Sequence, residues 1–188
     1  VGDEEFEKLT NAMHVIYEFG ERVGIDNLMT HSKYRETIIA RKLKHEVFLK
    51  TSGGMLNSNT YGADAVDEHG KKVEYKTLTF SRKEYANFMN GQFSRKKQFY
   101  YNGAYSLQII DAYKDTKHIY VFFYQEKLVV CILVPTEHVL NSLTSVLEKK
   151  EKRRESGEKV TTNLNPVVIE FENNVPSIGT VLYDIRNN

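Results

Sequence analysis

Apolar and polar positions along this chain change period several times, and each change marks an element. The strongest signals are two runs, His118 to Tyr124 and Lys127 to Val134, dense in Val, Ile, Phe and Tyr and separated by a short polar break. Such runs read as strands. Pro135-Thr136-Glu137 then starts a helix that carries Val139, Leu140, Leu143, Val146 and Leu147 at helical spacing. Upstream, Ser32 is an N-cap before a helix over 33–45, with Ile38, Ile39, Leu43 and Val47 as its apolar stripe. Residues 46–50 continue it as a short strand. Residues 51–60, with Gly53-Gly54 and Asn57-Ser58-Asn59, are a loop. An apolar run over 105–113 predicts another helix. Residues 166–171 and 178–183 predict two strands about an Asn-Asn-Val-Pro turn, as an accessory hairpin or a subunit contact. Near the start, Phe6, Leu9, Met13, Ile16, Tyr17 and Val23 predict a helix that packs on the core or pairs with a second subunit.

The most informative stretch runs from Gly62 to Thr77. It predicts a β-hairpin whose loop, Glu68-His69-Gly70, places Gly70 where a positive φ is needed. In that register Asp67 pairs with Lys71, and Asp64, on the first strand, faces Glu74 on the second. Side chains alternate along a strand, so Glu74 and Lys76 share a face and Tyr75 points the other way. Two like charges across a ladder, roughly 5 Å apart, destabilise a hairpin. A divalent cation between them removes that penalty, and a lysine beside them can activate a water or hold a phosphate. The geometry is that of a metal-dependent phosphodiesterase. As a purely structural feature, the same hairpin is an amphipathic surface element with a Glu–Lys pair.

Asp64, followed ten residues later by Glu74-Tyr75-Lys76, resembles the signature of the PD-(D/E)XK nuclease superfamily, the restriction-endonuclease-like fold. Asp115-Thr116-Lys117 and Glu148-Lys149-Lys150 also match Glu/Asp-x-Lys, but one falls in a polar turn and the other in a charged helix end. Ala63 stands where the family name implies proline. The predicted order of helix, three strands, helix and strand is that of the superfamily's αβββαβ core: an α/β (α+β mixed) fold with a central mixed β-sheet flanked by helices. Agreement of motif and element order is stronger than either alone. Many members carry a glutamate on the helix before the motif strands, and Glu36 occupies the comparable place; its bland reading is a solvated glutamate near Lys33 and Arg41. Asp67 more simply closes the hairpin, and His69 is a solvated loop residue. Lys44 and His45 sit at a helix end, where cations meet the negative end of the helix dipole.

Composition narrows the chemistry. The 188 residues, 40% of them hydrophobic, suit a single domain: a helical region over 1–30, a catalytic core over 31–135, and a helix with a hairpin over 136–188. No apolar run approaches the ~20 residues that cross a bilayer, and the acidic start carries no secretory signal. The lone cysteine, Cys131, lies in an apolar strand, so neither an internal disulfide nor cysteine-bound zinc is available. A cytoplasmic protein is expected. Any metal must be held mostly by oxygen, which favours Mg²⁺, with Mn²⁺ able to substitute.

The net charge is only +1, so any grip on nucleic acid must be local. The stretch over 80–102 is a candidate DNA-recognition insertion: it interleaves cations, amides and aromatics, and follows the motif strand directly. Arg82, Lys83, Asn87, Asn90, Gln92, Arg95, Lys96 and Lys97 are its candidate DNA contacts, because Lys and Arg neutralise phosphates while Asn, Gln and Arg read base edges. Phe88, Phe93 and Phe99 can pack on the core whether or not DNA binds. Mixed signs over 148–159 read as a solvated helix end, with DNA-backbone contact as the alternative.

The resemblance implies metal-assisted hydrolysis of DNA. Asp64 and Glu74 anchor Mg²⁺, together with the backbone carbonyl of Tyr75. Lys76 orients or deprotonates the attacking water, or stabilises the developing charge. It further implies a prokaryotic, homodimeric type II restriction endonuclease acting on double-stranded DNA. The alternatives are a repair nuclease or junction resolvase of the same superfamily, and a non-catalytic DNA-binding module with a degenerate site.

Overall fold

A computed structural model describes residues 2–22, 32–47, 63–102, 106–160 and 164–187. The predicted loop over 51–60, part of the strand over 46–50, and Val23 lie outside the described residues. Helix α1 (Asp3–Arg22) leads, followed by α2 (Ser32–Leu43) and the short strands β1 (Glu46–Val47) and β2 (Ala65–Val66). Then come β3 (Lys72–Thr79), α3 (Arg82–Met89), β4 (Arg95–Asn102) and α4 (Leu107–Asp111). The chain continues with β5 (Lys117–Tyr124), β6 (Lys127–Val134), α5 (Thr136–Glu155), β7 (Leu164–Glu172), β8 (Val175–Pro176) and β9 (Thr180–Asp184).

The main sheet has the order β1-β2-β3-β5-β6-β9. β1, β2 and β3 form an antiparallel meander, β3 runs parallel to β5, and β5, β6 and β9 are again antiparallel. The fold is therefore mixed α and β about a mixed central sheet. A parallel neighbour needs a crossover, and here it carries α3, β4 and α4. Alternation along β3 and β5 sorts the side chains cleanly. Val73, Tyr75, Ile119, Val121 and Phe123 enter one core layer with Ile39 and Ala40 of α2. Tyr120 and Phe122 enter the other, with Phe99 and Tyr101 of β4, Val139, Leu143 and Leu147 of α5, and Val167, Ile169 and Phe171 of β7.

Three expectations need correction. The strands at 166–171 and 178–183 do not pair with each other. Asn173 and Asn174, both at positive φ, turn β7 back into the two-residue β8, and the chain then leaves so that β9 pairs with β6 at the edge of the main sheet. β7 instead pairs with β4 along its length, giving a second sheet of order β4-β7-β8. The stretch over 80–102 is accordingly no protruding insertion. It is a capped helix and a strand, with Phe88, Phe93, Phe99 and Tyr101 buried. Ser81 and Glu84 cap α3 reciprocally, each side chain accepting a hydrogen bond from the other residue's N–H. The helix expected over 105–113 is shorter, Leu107–Asp111.

On α1, the apolar stripe does not close over: Leu9 (56% exposed), Met13 and Tyr17 face solvent, while Ile16 is half-buried. Among the described residues no helix is long and apolar enough to cross a membrane.

Candidate active site

The hairpin register sets the site. Ala65 pairs with Val73 and Val66 with Lys72, the Asp67 N–H donates to the Lys71 carbonyl at 2.9 Å, and Gly70 takes φ +75°. This is the expected pairing and turn. The ladder ends at Ala65, however, so Asp64 lies just before β2 rather than on it. Its N–H donates to the Val73 carbonyl at 2.7 Å, and its carboxyl turns across to accept the Tyr75 N–H at Oδ2, 2.8 Å away. A short polar side chain thus takes over from the ladder as β2 ends.

Glu74 and Lys76 point into the layer containing Tyr101 and Tyr120. Lys76 Nζ donates to Glu74 Oε1 at 2.5 Å, and both side chains are largely shielded from water. Glu36 comes from the opposite side, on α2, and is 5% exposed. The solvated reading of Glu36 is wrong: the helix buries it because its neighbours Ile39 and Ala40 dock on the sheet. Asp64 senses both glutamates. Burial, then the negative charges of Glu74 and Glu36, push its carboxyl up to about 7, against the Tyr75 N–H and the Lys76 ammonium. The four residues Asp64, Glu74, Lys76 and Glu36 are therefore brought into one electrostatic unit.

Other polar groups serve the frame. Asp67 Oδ1 accepts the His69 and Lys71 N–H groups, and Oδ2 accepts from Lys117, tying the hairpin to the start of β5. The Lys117 hydrogen bond leads in holding its carboxyl down at about 2. His45 does not act as a helix-end cation: burial lowers its pKa, and Nδ1 lies 2.8 Å from the Tyr75 hydroxyl with the two rings stacked. Lys44 takes φ +59°, ending α2. Cys131 is buried in the α2-side layer, and its thiol is pushed up to about 12 by burial, which rules it out as a nucleophile at neutral pH.

The candidate DNA contacts divide. Arg82 and Lys83 are exposed in the first turn of α3. Asn87 is half-buried, its carbonyl accepting the Gln92 N–H, and Asn90 is the C-cap of the helix. Gln92 and Arg95 are exposed. Lys96 pairs with Glu170, and Lys97, half-buried, pairs with Glu84. Missed altogether was the polar trio next to Lys76: Tyr101, His118 and Tyr120. Its only sequence signal was tyrosine and histidine at inward positions of β4 and β5, beside Phe99 and Phe122.

Compared with known proteins, the chain matches no protein-family model and no curated sequence. The metal question therefore rests on the donors. Among the described residues no three His, Cys, Asp or Glu groups converge closely enough to hold an ion together. Asp64 and Glu74 each have one oxygen engaged, at Oδ2 and Oε1, and burial, then the charges of Glu74 and Glu36, push the Asp64 carboxyl upward. A hard, water-retaining cation needs only one or two carboxylates from the protein. Asp64 and Glu74 would hold it, with the Tyr75 carbonyl as the main-chain ligand.

Proposed function

We propose that this protein is a Mg²⁺-dependent endonuclease of restriction-endonuclease-like fold that hydrolyses DNA phosphodiester bonds, acting as a homodimeric, sequence-specific type II enzyme. The observation that carries the reading is the Lys76 ammonium held at 2.5 Å on Glu74 beside Asp64, whose carboxyl is pushed up to about 7 by burial, then by the charges of Glu74 and Glu36. A structural Glu–Lys pair has no use for the half-buried Asp64 and the buried Glu36 beside it, because each adds desolvation and repulsion. The antiparallel meander β1-β2-β3 followed by parallel β5 also agrees with the core order of that superfamily.

When bound, Mg²⁺ supplies Lewis-acid polarisation of the phosphate and a water of lowered pKa. The chain's own groups do the rest. Asp64, fixed by the Tyr75 N–H, and Glu74, fixed by Lys76, present their remaining oxygens in set directions. The Lys76 ammonium donates to the phosphate and stabilises the charge that develops on it. Glu36 orients water near Asp64.

A repair nuclease or junction resolvase is the second reading. It is favoured by the stretch over 80–102, which is built into the core and has Lys96 and Lys97 paired to glutamates rather than presented as a base-reading loop. The test is digestion of long unmethylated phage DNA with Mg²⁺, beside a Glu74→Gln variant and a metal-free control. Discrete fragments lost in both controls support the type II enzyme. Cleavage confined to branched DNA supports the second reading. If neither linear nor branched DNA is cut with Mg²⁺ or Mn²⁺, the nuclease reading is wrong.

A further inference from the structure

The ammonium of Lys76 has a second neighbour besides Glu74. Nζ lies 4.5 Å from the centroid of the Tyr101 ring. That ring is fully buried, and its hydroxyl is held on both sides: 2.8 Å from His118 Nδ1, and 3.2 Å from the Tyr120 hydroxyl, which donates to it. The trio spans two sheets. Tyr101 comes from β4, whereas His118 and Tyr120 stand on β5 beside Glu74 and Lys76 in the parallel ladder.

A phenylalanine would fill this layer as well as a tyrosine, and Phe93 and Phe99 do so nearby. Burying three polar rings together is justified only if their hydrogen bonds fix something. What they fix is the azimuth of the Tyr101 ring, whose face attracts the ammonium through the ring quadrupole. A lysine held by one carboxylate alone can swing on its flexible stem. Held between Glu74 and a locked ring face, it has one position.

We propose that Tyr101 is a positioning residue of this site: its ring face, locked by His118 and Tyr120, seats the Lys76 ammonium beside Glu74 for the phosphate. The inference rests on the nuclease reading of Glu74 and Lys76.

The test combines lysine-labelled NMR with single-turnover cleavage of duplex DNA in Mg²⁺, using wild type, Tyr101→Phe and Tyr101→Leu. A Lys76→Arg variant assigns the Lys76 signals. Ring current should move the Lys76 side-chain protons upfield in wild type, and the displacement should shrink in Tyr101→Phe, whose ring is unlocked, and vanish in Tyr101→Leu. The single-turnover rate should fall about tenfold in Tyr101→Leu and by a smaller factor in Tyr101→Phe, whose ring stays but is no longer locked, with DNA affinity unchanged in both. No upfield displacement in wild type, or an undiminished rate in a folded Tyr101→Leu, overturns the proposal. If Tyr101→Leu fails to fold, His118→Leu, which keeps the ring but unlocks it, carries the kinetic test, and an unchanged rate there overturns it. A wild type that shows the displacement yet cleaves no DNA overturns the nuclease reading instead, and the positioning role goes with it.

Discussion

At the scale of single residues, the site concentrates groups that are expensive to bury and ties each to a partner. Lys76 is the one whose removal should, under the proposed function, separate chemistry from binding. Lys76→Ala is expected to abolish cleavage while leaving DNA affinity within a few-fold, because in the proposed mechanism the lysine acts on the reacting phosphate, and it is shielded from the outer surface. Filter binding beside the cleavage assay checks this, and joint loss of affinity and folding would contradict the assignment. It also leaves Glu74 without its cation, so a lower melting temperature in the metal-free protein should accompany the loss. His118 makes a different prediction. Burial pushes its imidazole down to about 4, well under the ordinary 6.5. The native state thus resists a proton that the unfolded chain accepts, and stability falls as pH drops from about 6.5 towards 4. The full loss is about 3 kcal/mol, since each unit is worth about 1.4 kcal/mol. Denaturant unfolding at pH 7 and pH 4.5 should show a marked loss that His118→Phe flattens; an equal loss in both proteins would locate the effect elsewhere.

At the scale of elements, two glycines bend the chain, for unequal reasons. Gly70 takes φ +75° in the hairpin loop with nothing near its missing Cβ, so Gly70→Ala carries only the left-handed strain of about 1 kcal/mol. Gly179 takes φ +100°, and a Cβ there would stand 2.7 Å from the Leu133 carbonyl oxygen and 2.9 Å from Ile132 Cγ2. Gly179→Ala must therefore push β9 off β6, and should lose at least twice as much stability as Gly70→Ala in parallel urea melts. Equal losses would mean that the β9 contact yields freely. The same contrast explains what could be read from the sequence. The hairpin was legible because everything that sets it is local: period-two alternation, a three-residue loop and one glycine. So were β5, β6 and α5, whose apolar runs need no partner to be recognised. The joining of β4 to β7 was not, since nothing in either strand names a partner so distant in the chain. Asn173-Asn174 announces a turn, but it cannot tell whether the returning strand is the two-residue β8 or a longer one that Gly179 sends elsewhere. Asp64, Glu74 and Lys76 were legible as a motif. The burial of Glu36 and the Tyr101 contact depended on how α2 and the second sheet pack, which no spacing encodes.

At the scale of the whole molecule, the candidate site is assembled from both sheets, so its integrity depends on their shared core. Phe122, on β5, is the main joint: its ring lies 4.6 Å from Phe80, 5.4 Å from Phe99 of β4 and 5.5 Å from Phe171 of β7, measured between centroids. It is fully buried, and aromatic-to-alanine changes in such positions lose about 3–5 kcal/mol. One common layer carries β4, β5, α5 and β7, so the second sheet has no core apart from the one it shares with the main sheet. Phe122→Ala should consequently shift a single unfolding transition to lower urea by an amount in that range, with fluorescence and circular dichroism still coincident. Metal-dependent cleavage should disappear along the same curve, because Glu74 and Lys76 stand on one sheet and the ring beneath Lys76 on the other. Two resolved transitions, with activity following only the first, would show that the second sheet can detach from an intact main sheet, and that the site depends on that docking more than on the hairpin itself.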